Sequence, residues 1–279
     1  VSTVPASTAA AAATDWLARI ERFDVVGSTN DVVAGWLRDG TPEVCVAIAD
    51  EQLAGRGRNG RAWTAPSGAS LLASVGFRPA WLEPAQAWRL GAVVSLAMAE
   101  AAEATAGLAS GTVRLKWPND LVILGPGAGS AAPKVAGVLG ETHGLGTADP
   151  QAVIGIGINV DWARAEFPPD FADDMTSLSD AAGGSVDRET LAAAFLERLA
   201  PLATDLRHGD FAAGAWRARQ LTSGRPVRLE WPDGVTETVL AADVDPDSGA
   251  LLVRSVSGTG PTRAVLVGAI RHLRVGGIA

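Results

Sequence analysis

Gly55-Arg56-Gly57-Arg58-Asn59-Gly60-Arg61-Ala62-Trp63 packs three glycines and three arginines into seven residues, with an indole two places on. An apolar run at Val44–Ala49 precedes it and another at Ser70–Phe77 follows, so the arginines are predicted to lie on a loop between two strands. Glycine-rich backbone can approach a ligand closely and turn its amides toward it. The guanidinium groups add fixed charge and forked donors suited to phosphate or carboxylate. The chain as a whole carries a formal charge of −8, so this local cluster of cations departs from its background. A solvated surface loop is the plainer reading of the same residues. The segment also fits Gly-x-Gly-x-x-Gly, but a dinucleotide fingerprint needs a helix to begin within it and an acid roughly 20 positions later. Pro66, Ser67 and Gly68 follow instead, and Val75 to Ala80 holds no acid. A kinase glycine loop fails as well, since no His-Arg-Asp or Asp-Phe-Gly follows.

Composition narrows the classes further. A length of 279 residues with 47% hydrophobic content suits one large domain, or a catalytic domain with a small companion. No run approaches the roughly 18 apolar residues of a membrane span. Residues 1–14, rich in Ala, Ser and Thr, have neither the basic segment nor the apolar core of a secretory signal and are predicted to be a disordered tail. Cys45 is the single cysteine, which excludes an internal disulfide and suits a reducing cytosol; its apolar strand marks it as a buried small hydrophobe. His143, His208 and His272 are too scattered for a zinc site. An acidic chain without a basic stripe argues against extended nucleic-acid binding. The 23 basic residues include only two lysines, Lys116 and Lys134. Where arginine fills nearly every cationic position, a remaining lysine points to a role that needs a compact ammonium, Lys134 more than Lys116.

In chain order, Ser28-Thr29-Asn30 precedes Val32, Val33, Trp36 and Leu37 at helical spacing and is placed to cap that helix. Trp81 to Gly107 carries the longest helical pattern and is assigned to packing. Val113–Leu124, Lys134–Glu141 and Ala152–Val160 read as a three-stranded meander, the first two strands joined by Gly125-Pro126-Gly127-Ala128-Gly129-Ser130. In the last strand, Gly155 and Gly157 alternate with isoleucines and leave one face bare, as a ligand lying flat on a sheet would need. Residues 161–188 are irregular. Glu189–His208 and Phe211–Gln220 read as helices, with Pro201 bending or breaking the first. From Ser223 the pattern becomes short strands, Val227–Glu230, Glu237–Val244, Leu251–Val256 and Ala264–Val267, separated by Pro-Asp-Gly, Asp-Pro-Asp-Ser-Gly and Gly-Thr-Gly-Pro turns. A catalytic domain at 15–221 and a small β-barrel at 222–279 follow.

The loop with its neighbours from Gln52 to Trp63 resembles the signature of biotin–protein ligases. Four more segments match that family in its order: Gly27-Ser28-Thr29-Asn30, Lys116-Trp117-Pro118-Asn119-Asp120, Lys134-Val135-Ala136-Gly137-Val138-Leu139-Gly140-Glu141 and Gly155-Ile156-Gly157-Ile158-Asn159. The match spans residues 27 to 159, and the C-terminal third is similar only in size and strand pattern. The resemblance implies an α+β fold: a mixed or antiparallel sheet with helices, in the class II synthetase-like manner of biotin/lipoate ligases, followed by an SH3-like β-barrel. Some family members carry an N-terminal helix-turn-helix domain, for which the roughly 26 residues before Gly27 leave no room.

The resemblance further implies a two-step reaction in the cytoplasm. Biotin's carboxylate attacks the α-phosphate of ATP, and a lysine of a biotin carboxyl carrier protein then takes the biotinyl group from the adenylate. Approach of two anions makes the first barrier largely electrostatic and positional. By resemblance, Ser28, Thr29, Asn30 and Gln52 fall at the ureido head of biotin, with Arg56, Gly57, Arg58, Lys134, Gly137, Gly155 and Gly157 along the rest of it. Arg56, Arg58, Arg61, Trp63, Lys116, Asn119, Asp120 and Asn159 fall at the adenylate. Lys134 and Arg58 are the expected catalytic cations. Mg2+ is expected with ATP, Asp120 being a candidate ligand or a supporting group. No base for the transfer step is apparent, and composition does not decide between monomer and dimer. A lipoate–protein ligase and a non-catalytic biotin sensor are the competing readings. The Gly-Arg-Gly-Arg-x-Gly-Arg-x-Trp and Lys-Trp-Pro-Asn-Asp patterns favour biotin over lipoate, and the presence of Arg58 and Lys134 favours an enzyme.

Overall fold

Twelve strands and five α-helices alternate along a computed structural model that describes residues 15–125, 132–170, 172–231, 235–257, 260–266 and 272–275. The predicted tail 1–14, the centre of the 125–130 connection, the Pro232-Asp233-Gly234 turn and parts of the last expected turn and strand lie outside the described residues. In chain order the first part contains β1 (Arg19–Val26), α1 (Thr29–Arg38), β2 (Cys45–Gln52), β3 (Ser70–Phe77), α2 (Trp88–Thr105), β4 (Val113–Lys116), β5 (Asp120–Ile123), β6 (Lys134–His143) and β7 (Gln151–Asn159). It ends with α3 (Leu178–Ala182), α4 (Arg188–Arg207) and α5 (Ala213–Ala218). The seven strands form one sheet in the order β1-β2-β3-β7-β6-β5-β4, parallel between β1 and β2 and antiparallel elsewhere. The mixed α+β architecture is the expected one.

Period-two alternation decides what each face of this sheet does. Val46, Ile48, Leu71, Ala73, Val75, Ile154, Ile156 and Ile158 point one way and form the main core with α2 and α4. On the other face, Cys45, Ala47 and Val153 pack under Val33, Trp36 and Leu37 of α1. Helix α1 comes this close because Gly76 has no side chain; a Cβ there would lie 2.6 Å from Val33 Cγ1. Burial in that contact pushes the Cys45 thiol up to about 11, as befits a packed and inert cysteine. Beyond the end of α1, the same face carries Gly155, Gly157 and Gly137, and here the site is built.

Three local expectations change. The run Val113–Leu124 is two strands, because Pro118 cannot donate to a ladder and the chain turns at Trp117-Pro118-Asn119 to pair β4 with β5. Pro201 sits inside a continuous α4; it is exposed, so the carbonyl left without a donor one turn back can face water. Ser28 occupies the N-cap position of α1 with extended backbone, but its side chain makes no capping hydrogen bond.

The C-terminal strands β8 (Arg225–Glu230), β9 (Thr236–Val244), β10 (Leu251–Ser255), β11 (Arg263–Val265) and β12 (His272–Val275) form a five-stranded antiparallel sheet in the order β11-β10-β9-β8-β12. Four were anticipated, and β12 is additional. Among the described residues this sheet is open: β11 and β12 are its two edges, and closing a barrel requires the edges to pair. The segment that leads into it, residues 219–222, and its own Gly249 are fastened to β4, Trp117 and α2. Leu115 and Leu221 exchange backbone hydrogen bonds with each other's neighbourhood, Leu115 N–H donating to Arg219 O at 2.9 Å and Leu221 N–H to Leu115 O at 2.7 Å. Trp117 donates its backbone N–H to Thr222 Oγ1 at 3.1 Å and its indole N–H to Gly249 O at 2.9 Å. Buried Glu103 receives Arg219 through both carboxylate oxygens and also accepts Val113 N–H.

Candidate active site

The glycine–arginine segment is a small hairpin rather than an open loop. Trp63 N–H donates to Gly55 O at 2.9 Å and Gly57 N–H to Arg61 O at 2.7 Å, with Asn59 at the tip in the left-handed region. Gly55 lies against the Trp63 carbonyl, where a Cβ would overlap it. This fold-back lays the Trp63 indole flat on the bare patch of the sheet: a Cβ on Gly157 would come within 2.6 Å of the ring, and one on Gly137 within 3.2 Å. The indole Nε1 is buried there without a hydrogen-bond partner.

A row of cross-strand partners runs under the hairpin, Lys116 opposite Asp120, Asp120 opposite Gly137, and Gly137 opposite Gly157. Lys134 is pinned at both backbone groups, its N–H donating to Asp174 O at 2.7 Å and its carbonyl accepting Thr176 N–H at 2.9 Å. Its Nζ lies 2.7 Å from Asp120 Oδ1 and 5.4 Å from the Trp63 ring centroid. Asn119 is held to β6 twice, by its carbonyl accepting Val138 N–H and by its Nδ2 donating to Val138 O, both at 2.9 Å. That leaves Asn119 Oδ1 to accept Arg58 Nη1 at 3.3 Å. Burial pulls Arg58 below the ordinary guanidinium range, while the Asp120 carboxylate acts the other way.

A second cluster sits where α1 begins. Gln52 Oε1 accepts Thr29 N–H at 2.8 Å and lies 2.9 Å from Thr29 Oγ1. Ser74 Oγ lies 2.7 Å from Thr29 Oγ1 and donates to Asn30 Oδ1 at 2.6 Å. Asn30 Nδ2 in turn donates to Glu141 Oε2 at 2.7 Å. Arg56 forks onto Asp31 at 2.7 and 2.9 Å and reaches Glu141 at 3.1 and 3.3 Å. The Asp31 bond holds Arg56 above, and Asp31 itself below, their ordinary ranges, with Glu141 adding to the effect on Arg56. Between hairpin and sheet lies a cleft of about 400 Å³ lined by residues 56–61, Leu139 and Glu141.

Most of the residues singled out in the sequence therefore converge on one face. Arg58, Trp63, Asn119, Asp120, Lys134, Gly137 and Gly157 form one group, and Thr29, Asn30, Gln52, Arg56 and Gly155 the other. Lys116 stands at the sheet edge, opposite Asp120. Arg61 is exposed on the hairpin. Asn159 is fully buried and committed within the protein, donating to Thr176 O at 3.0 Å and accepting Ser70 Oγ at 3.3 Å. Two contributors had no assigned role, Ser74 and Glu141. Glu141 had a weak signal, a lone acid ending an apolar strand; Ser74 had none, being one of several small residues in its strand.

A model of the biotin/lipoate A/B protein ligase family matches residues 23–159, the stretch holding all five motifs. The biotin–[acetyl-CoA-carboxylase] ligase of Mycobacterium tuberculosis is 36% identical over 91% of this chain and 90% of its own length. The corresponding ligase of Paracoccus denitrificans is 34% identical over 76% of this chain and 84% of its own. Among solved structures, the biotin protein ligase of Aquifex aeolicus in complex with biotin and ATP superposes with a TM-score of 0.73 at 26% identity, covering 92% of this chain and 99% of that one. The chain belongs to the biotin/lipoate A/B protein ligase family, and these relatives are its biotin–protein ligases.

Proposed function

We propose that this protein is an ATP-dependent biotin–protein ligase that forms biotinyl-5′-AMP and passes the biotinyl group to a lysine of a biotin carboxyl carrier protein. The observation that carries the reading is the placement of two cations, Lys134 and Arg58, beside a bare glycine patch and next to a buried polar cluster, all on one sheet face. In the first step a carboxylate oxygen of biotin bonds to the α-phosphorus, and the bond to the bridging oxygen breaks to release pyrophosphate. Lys134 bridges carboxylate and α-phosphate, exchanging Asp120 for substrate oxygens, and Arg58 and Arg56 screen the approaching charges. One such donor contributes ~3–4 kcal/mol to the transition state. Thr29, Asn30 and Gln52, with Ser28, hold the ureido head; Gly155 makes room for the Asn30 amide, and Gly157 and Gly137 give room along the sheet once Trp63 moves. Trp63 rises from the glycine patch to line the adenylate with Arg61, Asn119 and Lys116. Asn159 acts beneath them by fixing the Thr176 segment that grips Lys134. In the second step the carrier amine attacks the anhydride carbonyl, AMP leaves, and the amine gives up a proton.

Among the described residues no three acidic, histidine or cysteine side chains converge, and Asp120 is engaged by Lys134. This donor set does not make a protein cage for Mg2+, so magnesium is assigned to the ATP phosphates. The C-terminal strands are proposed as a separate unit from about residue 222, with the SH3-like character suggested by its antiparallel order and its buried stripe of Val227, Leu229, Val239, Ala241, Leu251 and Val253. A cytoplasmic location is proposed with this activity; no described helix is long and apolar enough to cross a membrane. The test is transfer of labelled biotin to a purified carrier domain. ATP-dependent labelling of the carrier lysine is expected; biotin binding without any transfer would make the protein a sensor.

A further inference from the structure

Ser74 and Glu141 complete a hydrogen-bonded chain whose other members were assigned by resemblance. It runs from Gln52, which accepts Thr29 N–H, through the Thr29 and Ser74 hydroxyls to Asn30, then through Glu141 to Arg56. We propose that Ser74 and Glu141 are positioning residues that fix the Asn30 amide in one of its two orientations, setting how the site reads a cyclic urea, and that Glu141 ties this reading to the arginine hairpin. The inference rests on the biotin ligase reading and deepens it.

A carboxylate can only accept hydrogen bonds, so the Asn30 group facing Glu141 must be the NH2. The amide oxygen then faces Ser74 Oγ, which donates to it at 2.6 Å. Asn30 is 5% exposed and its amide oxygen abuts Gly155, where a Cβ would overlap Oδ1. Either orientation of an asparagine amide fills nearly the same volume, so packing against Gly155 does not select between them; the donors and acceptors at its two ends do. With one N–H given to Glu141 and one lone pair taken by Ser74, Asn30 keeps one N–H and one lone pair. That pair complements the carbonyl oxygen and ring N–H of a ureido group. In the reversed orientation the two would exchange places and oppose the ligand's pattern, leaving buried polar groups mispaired. The same Glu141 carboxylate receives Arg56 through Nε and Nη2, so its position is shared between the head pocket and the cation nearest it.

Glutamine at position 141 keeps the shape and removes the constraint, since its amide can donate or accept and the neighbouring Asn30 is free to reverse. The experiment is equilibrium dialysis of biotin and of 2-iminobiotin, in which an imino group replaces the ureido oxygen, against wild type, Glu141→Gln and Ser74→Ala, with thermal unfolding of each. The expected result is a rise of about tenfold in the biotin Kd of both variants at near-normal unfolding temperature. The preference for biotin over the imino analogue should fall with it. Unchanged biotin affinity, or equal weakening toward both ligands, overturns the inference, because a general loosening of the pocket would not alter the preference. Wild-type protein that binds neither ligand removes the functional reading itself, and the inference with it.

Discussion

The two ends of the site are built differently. Around Asn30 the polar groups are out of water: Ser28 and Thr29 are 3% exposed, Asn30 5% and Ser74 fully buried. Around Arg56 they are in it, with side-chain exposures of 39% for Arg56, 62% for Asp31 and 41% for Glu141. A satisfied buried network is rigid, because each lost partner leaves an unsolvated group behind. Exposed ion pairs are worth only ~0–1 kcal/mol and exchange partners readily. The contrast suits the proposed roles, recognition of a neutral ring at the prebuilt end and handling of moving negative charge at the end held by replaceable carboxylates. Asp31, Glu141 and Asp120 hold the cations, and on the proposed function substrate oxygens would take their place.

The largest effect should come from the exchangeable end. Lys134 Nζ is 2.7 Å from Asp120, and a Cβ on Gly137 would lie only 3.1 Å from it, so the wider guanidinium of Lys134→Arg has little room. Small misplacement of a reacting group can cost ~100-fold in rate. Lys134→Arg should therefore lose most adenylate formation, nearly as much as Lys134→Ala, while Lys116→Arg at the sheet edge stays mild. Single-turnover pyrophosphate release measures all three, and near-normal turnover by Lys134→Arg would reduce Lys134 to an ordinary cation. At the prebuilt end, Gly155→Ala forces the locked Asn30 amide aside, and overpacking of this kind costs ~1–3 kcal/mol. Its signature should be biotin affinity lowered at least about tenfold by direct titration, with a smaller change in turnover at saturating biotin.

Smaller effects probe what surrounds the two ends. Trp117→Phe removes the indole N–H from Gly249 O and should lower the stability measured by urea unfolding by ~1–2 kcal/mol. An unchanged midpoint would mean that the C-terminal sheet gains nothing from this contact. Asp31→Asn weakens the fork on Arg56 by no more than an exposed pair is worth, so trypsin should cleave after Arg56, Arg58 or Arg61 modestly faster without ligands. Biotin plus ATP should protect the variant and the wild type alike. Because Arg56 holds the Asp31 carboxyl below its ordinary range, this contact is present above that range and is lost as pH falls through the lowered value.

Much of this was legible in the chain. The isoleucine–glycine alternation of β7 separated the core face from the bare face, and the apolar runs flanking the arginines placed them between strands. The broken strand at Trp117-Pro118 carried its own signal in the proline. What the sequence withheld depends on contacts between distant residues. Ser74 is 44 residues from Asn30 and Glu141 is 111, so their meeting is a property of sheet register, not of local pattern. The same holds for Trp63, an aromatic assigned to nucleotide that rests here on Gly157, and for Asn159, whose motif position hides complete burial. An open five-stranded sheet cannot be told from a closed barrel by strand spacing, since both show the same turns.

The function proposed for this face is activation of biotin by adenylation. Its most direct test is biotin-dependent exchange of labelled pyrophosphate into ATP by the purified protein, with lipoate run in parallel. Exchange is expected with biotin, none with lipoate, and none in Lys134→Ala. Exchange that follows lipoate, or none with either acid, would contradict it.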